Sequence, residues 1–401
     1  MKNDTDKKNL TYNRRKIIQS LGAGTASTFI GGFPLAIANN STSVNIGILL
    51  PISGEASNIL EQMKVGIDVG IEKLNSNGGI LGRKVKAVFR DSEGHPNNLE
   101  KTCHELVKSD KVSGIIGPFI AAGRKFASRH LKSLDVPLIS ATNHEGRYCH
   151  PNFFTLGPTP AQDVKPLIDY VDGGKGRKYF IVGSYPSWQN SMFRQSRFYI
   201  YPTDGKVRGQ ALTDLGEEKF EPILKWISKT DTEVILFCIP RSNGTLFIKQ
   251  ANNMGLLDRL NFAWIGFNEM HHMSLSKEER KKIITCSSFI MSDDRNEAKD
   301  FVRYVKNIKG SNFPVTYYAH NHASAVLALG EAFNKAGEIS GVAALRSLPG
   351  LSYKSISGNI ETIDAVSHHS SLDLVIAKGG KKDLNIIKRI GSVKADPGCK
   401  V

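Results

Sequence analysis

The chain has 401 residues, of which 40% are hydrophobic and 8% aromatic, so it can bury more than one domain and is not an intrinsically disordered protein. The formal net charge is +15, yet six of the basic side chains lie in the first sixteen residues and the others are scattered in pairs such as Arg83-Lys84 and Lys281-Lys282. These pairs are not interleaved with aromatic residues, so we expect a solvated basic surface and no nucleic-acid partner.

The N-terminal segment has the pattern of an export signal. Arg14 and Arg15 precede an apolar stretch, residues 21–37, which contains four glycines and ends in Ala36-Ile37-Ala38. Paired arginines and a stretch of modest hydrophobicity resemble a Tat signal. The Sec route is the alternative, because Ile17 stands where Tat signals often carry Phe. We expect residues 1–38 to be a Tat-like export signal that places the mature chain in the periplasm.

After this segment, strand-like and helix-like patterns alternate. Apolar runs predict strands over residues 44–50, 84–89, 114–116 and 136–140, and helical spacing predicts helices over 61–74, 97–108 and 124–134. A second series begins after Pro158-Thr159-Pro160. It has strands over 178–182, 206–212, 233–239 and 262–266, and helices over 220–228 and 246–254. Parallel strands need helical crossovers, so the sequence predicts an α/β fold with two doubly wound parallel sheets.

The C-terminal third of the chain completes both sheets in this interpretation. Helices are predicted over residues 297–308 and 316–336, and a mixed segment begins at Ser357. In open α/β sheets, ligands bind beyond the carboxyl ends of the strands. The loops that follow the predicted strands are therefore where functional residues are expected.

Two of these loops carry a specific resemblance. The run from Asn45 to Gly54, followed by Asn75-Ser76-Asn77-Gly78-Gly79, resembles the opening of type I periplasmic binding proteins of the branched-chain amino acid class. Thr142-Asn143-His144-Glu145-Gly146, with Pro151-Asn152 after it, is similar to a signature of the urea and short-chain-amide binding subfamily. The late segment Ser357-Gly358-Asn359-Ile360 with His368-His369 extends the resemblance over most of the mature chain.

The resemblance implies two lobes joined by three hinge crossings. It places lobe 1 at residues 44–157 plus 290–356 and lobe 2 at 158–288 plus 357–395, with crossings near 157–162, 287–291 and 357–360. The implied function is the substrate-binding component of an ABC-type uptake system for a small polar solute, which is an amide, urea-like or amino-acid-like compound. The lobes would close on the ligand, and the partner would be an ABC transporter permease. The protein would contact the membrane only through this permease.

The resemblance also suggests which side chains hold the ligand. Phe119 stands where the amide binders place an aromatic wall, although Ala121 replaces a serine of the family. Thr142 matches a hydroxyl position of the pocket, and the alternative is a hydroxyl that stabilises a turn at a strand end. Tyr185 and Trp188 replace a pair of tyrosines and are expected either to cap the ligand or to pack within a lobe.

Glu269, at a strand end of the second series, is the remaining candidate for the ligand site. Its carboxylate is expected either to receive a ligand N–H or to be a solvated charge of the loop.

Enzyme motifs are absent from the sequence. It has no G-x-G-x-x-G after the first strand, no nucleophile elbow and no P-loop, so we expect neither catalysis nor a cofactor. The pairs His271-His272 and His368-His369 lack metal-ligand spacing, and no metal site is expected. The five cysteines show no C-x-x-C spacing, which predicts neither zinc nor a disulfide framework but leaves one pairing open.

The alternative to a transport component is a periplasmic ligand sensor that signals to a membrane or regulatory partner. Its lobes would bind the ligand by the same chemistry.

Overall fold

The computed structural model describes residues 43–401 except 93–95, 185–186 and 215. The expected export signal, residues 1–38, lies outside the described residues. The strands are β1 Val44–Leu50, β2 Val85–Asp91, β3 Ile115–Ile116, β4 Leu138–Ser140, β5 Phe153–Thr155, β6 Lys178–Ser184, β7 Lys206–Thr213, β8 Val234–Cys238, β9 Asn261–Trp264, β10 Ile283–Ser287, β11 Ser352–Lys354, β12 Ile360–Thr362, β13 Leu372–Gly379 and β14 Leu384–Val393.

The helices alternate with these strands over most of the chain. They are α1 Leu60–Ser76, α2 Pro96–Lys108, α3 Ala121–Lys132, α4 Pro160–Asp172, α5 Ser187–Ile200, α6 Glu221–Ser228, α7 Arg241–Asn253, α8 Glu269–Met273, α9 Lys277–Arg280, α10 Asn296–Lys309, α11 Tyr317–Ala336 and α12 Gly341–Ser347. Within the described part of the chain, no helix combines the length and the apolar character that a membrane span requires.

The first sheet is formed by the N-terminal strands in the order β2-β1-β3-β4-β5, and all neighbours are parallel. Helices α1 and α11 cover one face, and α2 and α3 cover the other. Helices α1 and α11 approach each other closely, since a Cβ on Gly66 would lie 2.2 Å from the Ala319 carbonyl oxygen. The apolar runs of these strands are therefore buried on both sides, as a parallel sheet requires.

The second sheet has the order β14-β13-β10-β9-β8-β6-β7. Strands β7, β6, β8, β9 and β10 are parallel, whereas β13 is antiparallel to β10 and β14 to β13. Helices α6 and α7 pack on one face, and α4 and α5 pack on the other. The two sheets confirm the expected α/β fold with two parallel-sheet lobes, and the antiparallel edge of the second sheet is an addition that the strand and helix patterns did not indicate.

The chain segments that connect the sheets meet at one junction. Thr155, at the end of β5, donates its N–H to the His368 carbonyl and accepts from the Ser370 N–H. Gln162, a fully buried residue of α4, donates to the carbonyl oxygens of Ser370 and Val393, each at 3.0 Å. The end of β5 and the start of α4 are thereby bonded to the segment that leads into β13 and to the last residue of β14.

The third passage between the sheets lies later in the chain than the resemblance implied. Residues 357–359 lie in the turn of the antiparallel β11–β12 hairpin and Ile360 begins β12, and Tyr353 and Ile363 pack in the core of the first sheet. The next strand of the second sheet, β13, begins at Leu372. The passage therefore lies at residues 364–371, while the lobe boundaries 44–157 with 290–356 and 158–288 with 357–395 stay a prediction.

A disulfide joins Cys149, in the loop before β5, to Cys399 near the C-terminus, across a sequence separation of 250 residues. The tail after β14 is held to the same region by backbone bonds from Arg147 N–H to the Pro397 carbonyl and from Val401 N–H to the Val366 carbonyl. Cys103, Cys238 and Cys286 are buried free thiols. The one pairing that the sequence left open is therefore formed between the tail and the loop that follows β4.

Reduction of this disulfide should lower the stability of the protein. A crosslink over a long loop restricts the unfolded chain, and its loss from a protein costs about 2–5 kcal/mol. We expect a reductant to lower the melting temperature of the wild type and to leave that of a Cys149→Ser/Cys399→Ser variant unchanged. Thiol titration under denaturing conditions should find three thiols before and five after reduction. An equal effect of reductant on both proteins would contradict the assignment of a disulfide between Cys149 and Cys399.

Glu361 makes the stability depend on pH. It is a buried residue of β12 that accepts a 2.6 Å hydrogen bond from the Tyr353 hydroxyl, and burial raises its pKa to about 8. A carboxyl whose pKa is higher in the folded state contributes stability that is complete below its unfolded pKa and is lost as the pH rises through its folded pKa.

We therefore expect the wild type to lose about 1–3 kcal/mol of unfolding free energy between pH 5 and pH 8.5 relative to Glu361→Gln. Urea denaturation at both pH values measures this difference, and Glu331→Gln, on the exposed side of α11, is the matched control. Parallel pH profiles for the wild type and Glu361→Gln would show that this carboxyl does not carry the dependence.

Candidate functional site

The residues that follow β4 lie where the two lobes meet. The Asn143 carboxamide donates a 2.9 Å hydrogen bond to Asp163 Oδ2 in α4, and the Gln195 carboxamide of α5 donates to the Glu145 carbonyl at 2.7 Å. Helices α4 and α5 cover the second sheet, whereas residues 141–145 extend from a strand of the first sheet. The carboxyl end of β4 therefore forms a polar contact between the lobes, at the position where an α/β sheet binds ligands.

Arg124 connects two of the residues that the sequence suggested, Phe119 through its backbone carbonyl and Thr142 through its hydroxyl. It lies in the first turn of α3 and is 2% exposed. Its guanidinium donates to the Phe119 carbonyl, to Thr142 Oγ1 at 3.0 Å and to Glu145 Oε2 at 2.8 Å. A buried guanidinium needs such partners because its charge is costly away from water. Phe119 and Thr142 are thus brought together and held by one cation.

Aromatic rings extend from Phe119 toward α4. The Phe119 ring meets Tyr318 edge-on with centroids 6.0 Å apart, and Tyr318 lies against Tyr317 at 4.3 Å. Burial raises the pKa of Tyr317 well above its usual range, and the nearby Asp163 carboxylate raises it further. The rings of Phe119, Tyr318 and Tyr317 therefore form a continuous series, and Tyr317 is near enough to Asp163 for the carboxylate to contribute to its raised pKa.

Asp163 is a buried acid with one unsatisfied oxygen. It is 3% exposed, and its Oδ1 has no hydrogen-bond partner among the described residues. Burial raises its pKa to about 7, although the hydrogen bonds from Asn143 and from the backbone N–H groups of Val164 and Asp163 act in the opposite direction. Cys238 and Cys286, at the carboxyl ends of β8 and β10, lie close enough for the carboxylate to raise their thiol pKa values, after the larger effect of burial.

Glu269 is buried rather than solvated. It begins α8, and its Oε1 accepts a 2.7 Å hydrogen bond from the Met291 N–H, just after β10. Burial raises its pKa to about 7, and Oε2 has no hydrogen-bond partner within the described part of the chain. The hydrogen bonds and ion pairs described for Glu269 do not link it directly to Phe119 or Thr142, and its place in the ligand site stays a prediction.

Tyr185 lies outside the described residues, and the same holds for the side chain of Trp188, whose backbone belongs to α5. Their expected capping role stays a prediction.

A surface groove lies apart from these residues. It has a volume of about 360 Å³ and opens widely to solvent along α10. Its lining consists of Met291, Lys299, Val302, Arg303, Lys306, Asn307 and Ser311. Met291, whose N–H bonds to Glu269, is the lining residue that connects the groove to the end of β10. The groove is lined by none of the suggested residues and is not part of the candidate site.

Sequence reasoning missed Arg124, Asn143, Glu145 and Asp163 as candidates. Asn143 and Glu145 stand inside the Thr142 to Gly146 signature, so the motif itself was the signal that could have singled them out. Asp163 follows the Pro158-Thr159-Pro160 run that starts α4, and nothing in that pattern shows that its carboxyl group is buried. Across the described residues, no group of histidine, cysteine and acidic side chains is arranged to hold a metal ion.

Removing Arg124 should destabilise the protein by leaving a buried carboxylate unpaired. Arg124→Met is expected to cost about 3–5 kcal/mol, because Glu145, 7% exposed, would keep a charge without its partner. The double variant Arg124→Met/Glu145→Gln should regain a large part of this loss, since it removes both charges. Urea denaturation of the two single variants and the double variant measures the coupling, and strictly additive effects would show that the pair is not coupled.

The fold and the interlobe contact define a two-lobed α/β binding protein, and comparison with known proteins identifies its family. The chain matches the family model described as periplasmic binding protein over residues 43–383 and belongs to that family. These are binding proteins without enzymatic activity, and the chain is accordingly a binding protein of this family. The family expected from the sequence is therefore confirmed.

Several relatives resemble this chain over most of its length. The Leu/Ile/Val-binding protein homolog 3 of Brucella melitensis is 21% identical over 310 residues, which cover 75% of this chain and 82% of the relative. A solute-binding protein of an ABC transporter from Rhodopseudomonas palustris, solved with 3,4-dihydroxybenzoic acid, aligns with a TM-score of 0.78 at 19% identity, covering 89% of this chain and 99% of the other. LivJ from Streptococcus pneumoniae, solved with isoleucine, aligns with a TM-score of 0.75 at 17% identity, covering 87% and 100%. At these identities the likeness of the structures shows the fold alone.

Proposed function

We propose that this chain binds a small polar solute, of the amide, urea-like or amino-acid-like kind, between its lobes and delivers it to an ABC transporter permease. The observation that carries the proposal is the polar contact between residues 143–145 and helices α4 and α5, beside the Arg124, Phe119 and Thr142 cluster. A ligand that bonds to polar groups of both lobes stabilises the closed state by its differential affinity, and the closed surface is what a permease recognises.

Phe119 and Thr142 are proposed as the first-lobe contacts of the ligand. The Thr142 hydroxyl accepts from Arg124 and lies 3.5 Å from the Ser140 hydroxyl, and it is proposed to turn its proton toward a ligand oxygen when the ligand binds. Tyr185 and Trp188 are proposed to cover the ligand from the second lobe, on the basis of the resemblance. Glu269 is proposed to act at the second crossing, where its unsatisfied oxygen is available to a ligand N–H.

Export to the periplasm belongs to the same proposal. The twin-arginine pattern of residues 1–38 supports it, and so does the Cys149–Cys399 disulfide, because disulfides persist in oxidising compartments and are rare in the cytosol. The more specific part of this proposal is that the chain is exported by the Tat route.

A thermal-shift screen of residues 39–401 against amino acids, amides, ureas and aromatic acids tests the proposed ligand class. A ligand that binds only the folded chain must raise its melting temperature. With the best compound, small-angle scattering should record a smaller radius of gyration as the lobes close. A ligand that raises the melting temperature without this compaction would contradict the hinge mechanism.

Thr142 permits a matched pair of variants. Thr142→Ser keeps the hydroxyl, and Thr142→Val keeps the shape but removes it. We expect Thr142→Val to weaken ligand binding about threefold to tenfold, and Thr142→Ser to bind nearly as the wild type does. Trp188→Ala should weaken binding independently. The control is Thr102→Ala, because the wild-type Thr102 hydroxyl bonds only within its own helix, α2. Equal affinities of Thr142→Val and Thr142→Ser would show that the Thr142 hydroxyl does not contact the ligand.

A further inference from the structure

The C-terminal tail, residues 394–401, connects the two lobes a further time after β14. The last residue of that strand, Val393, accepts a 3.0 Å hydrogen bond at its carbonyl oxygen from Gln162 of α4. Shortly afterwards, the Pro397 carbonyl accepts a 2.6 Å hydrogen bond from the Arg147 N–H, in the loop between β4 and β5. Strands β4 and β5 belong to the first sheet, whereas β14 is the edge strand of the second. The tail therefore leads from the second lobe back to the first.

The two ends of the tail are anchored in different cores. Val393 packs against the core that α4 and α5 form on the second sheet. At the other end, Cys399 is joined by the disulfide to Cys149. The neighbouring Tyr148 packs against the core of the first sheet, and its hydroxyl shares a 2.5 Å hydrogen bond with the Ser128 hydroxyl of α3. A movement of one lobe relative to the other must therefore move the tail as well.

The tail also packs closely between the lobes. A Cβ on Gly146, whose φ is +72°, would lie 3.3 Å from the Pro397 carbonyl oxygen and 3.8 Å from Pro160 Cδ at the start of α4. Burial raises the pKa of Tyr199 in α5 to about 12, and the nearby Asp396 carboxylate raises it further. This part of the tail therefore lies against the β4–β5 loop on one side and near α5 on the other.

The length of the tail limits how far its two anchors can separate. The chain passes between the sheets after β5, after β10 and before β13, and all three passages lie between Cys149 and Cys399 in the sequence. The disulfide thus closes a covalent ring around the hinge. Residues 394–399 span at most about 22 Å when fully extended. As the lobes open, the backbone bond between Arg147 and Pro397 must break before this covalent limit is reached.

We propose that the C-terminal tail is a hinge restraint, locked by the Cys149–Cys399 disulfide, which limits how far the lobes open in the ligand-free protein. This inference rests on the proposed hinge and adds a fourth connection to its three passages. With the disulfide formed, the open state stays near the closed one, so closure costs less conformational freedom. Without the disulfide, the tail separates from the first lobe and the lobes open further.

Small-angle scattering of the ligand-free mature chain, residues 39–401, measures the extent of opening. We expect Cys149→Ser/Cys399→Ser to raise the radius of gyration by about 1 Å over the wild-type value, which is about 21 Å for a compact chain of this length. The double variant is less stable than the wild type, so melting curves are recorded first and scattering is measured at a temperature at which both proteins are folded.

A longer tail tests the restraint while the disulfide stays in place. Insertion of Gly-Ser-Gly-Ser between Lys394 and Ala395 adds about 13 Å of reach to the tail. It should expand the ligand-free protein as the double variant does. The matched control carries the same insertion between Gly310 and Ser311, in the exposed loop between α10 and α11, and should keep the wild-type radius of gyration.

The outcomes separate this inference from the hinge on which it rests. Expansion of the double variant and of the tail insertion, with an unchanged control, supports the restraint. Expansion of the double variant alone would come from the released tail and would overturn the inference. If neither variant expands while leucine, acetamide, urea or benzoate compacts the wild type, the restraint is wrong and the hinge stands. If neither variant nor any of these compounds changes the radius of gyration, both proposals fail.

Discussion

The structure depends on the junction at which the chain passes between its two sheets. Thr155 pairs through its backbone with residues 368 and 370, and buried Gln162 bonds the carbonyl oxygens of Ser370 and Val393. These backbone groups lie away from water and must be paired, which fixes where β5 ends, where α4 begins and how β13 enters the second sheet. Both lobes are anchored to these few segments, which is the arrangement that the proposed hinge requires.

The same junction determines the chemistry of the interlobe contact. The loop after β4, which contains Thr142, Asn143 and Glu145, lies beside the junction. Helix α4 begins at the junction and has Asp163 in its first turn. Charges brought into this region must be compensated or held at a cost. Glu145 is compensated by Arg124, whereas the donors to Asp163 are the neutral Asn143 carboxamide and backbone N–H groups.

The C-terminal tail adds a covalent link to this arrangement. After β14 the chain returns to the loop before β5, where Cys399 joins Cys149 and the backbone of Pro397 bonds to Arg147. The loop that carries the interlobe residues is therefore held at both of its ends, by β4 and by the disulfide. A loop that is ordered before the ligand arrives loses less entropy on binding, which is the physical value of preorganisation.

The sequence by itself determined the alternating strands and helices, the two parallel sheets and the family, because apolar runs and helical spacing are local signals and the Thr142 to Gly146 signature is contiguous. It also placed Phe119 and Thr142 at strand ends. Only the tertiary structure decided that Glu269 is buried, that Cys149 pairs with Cys399, that the third passage follows the β11–β12 hairpin, and that Arg124 and Asp163 face the loop after β4. Each of these facts depends on contacts between residues that are distant in the chain, and burial or pairing of that kind leaves no periodic trace in the sequence.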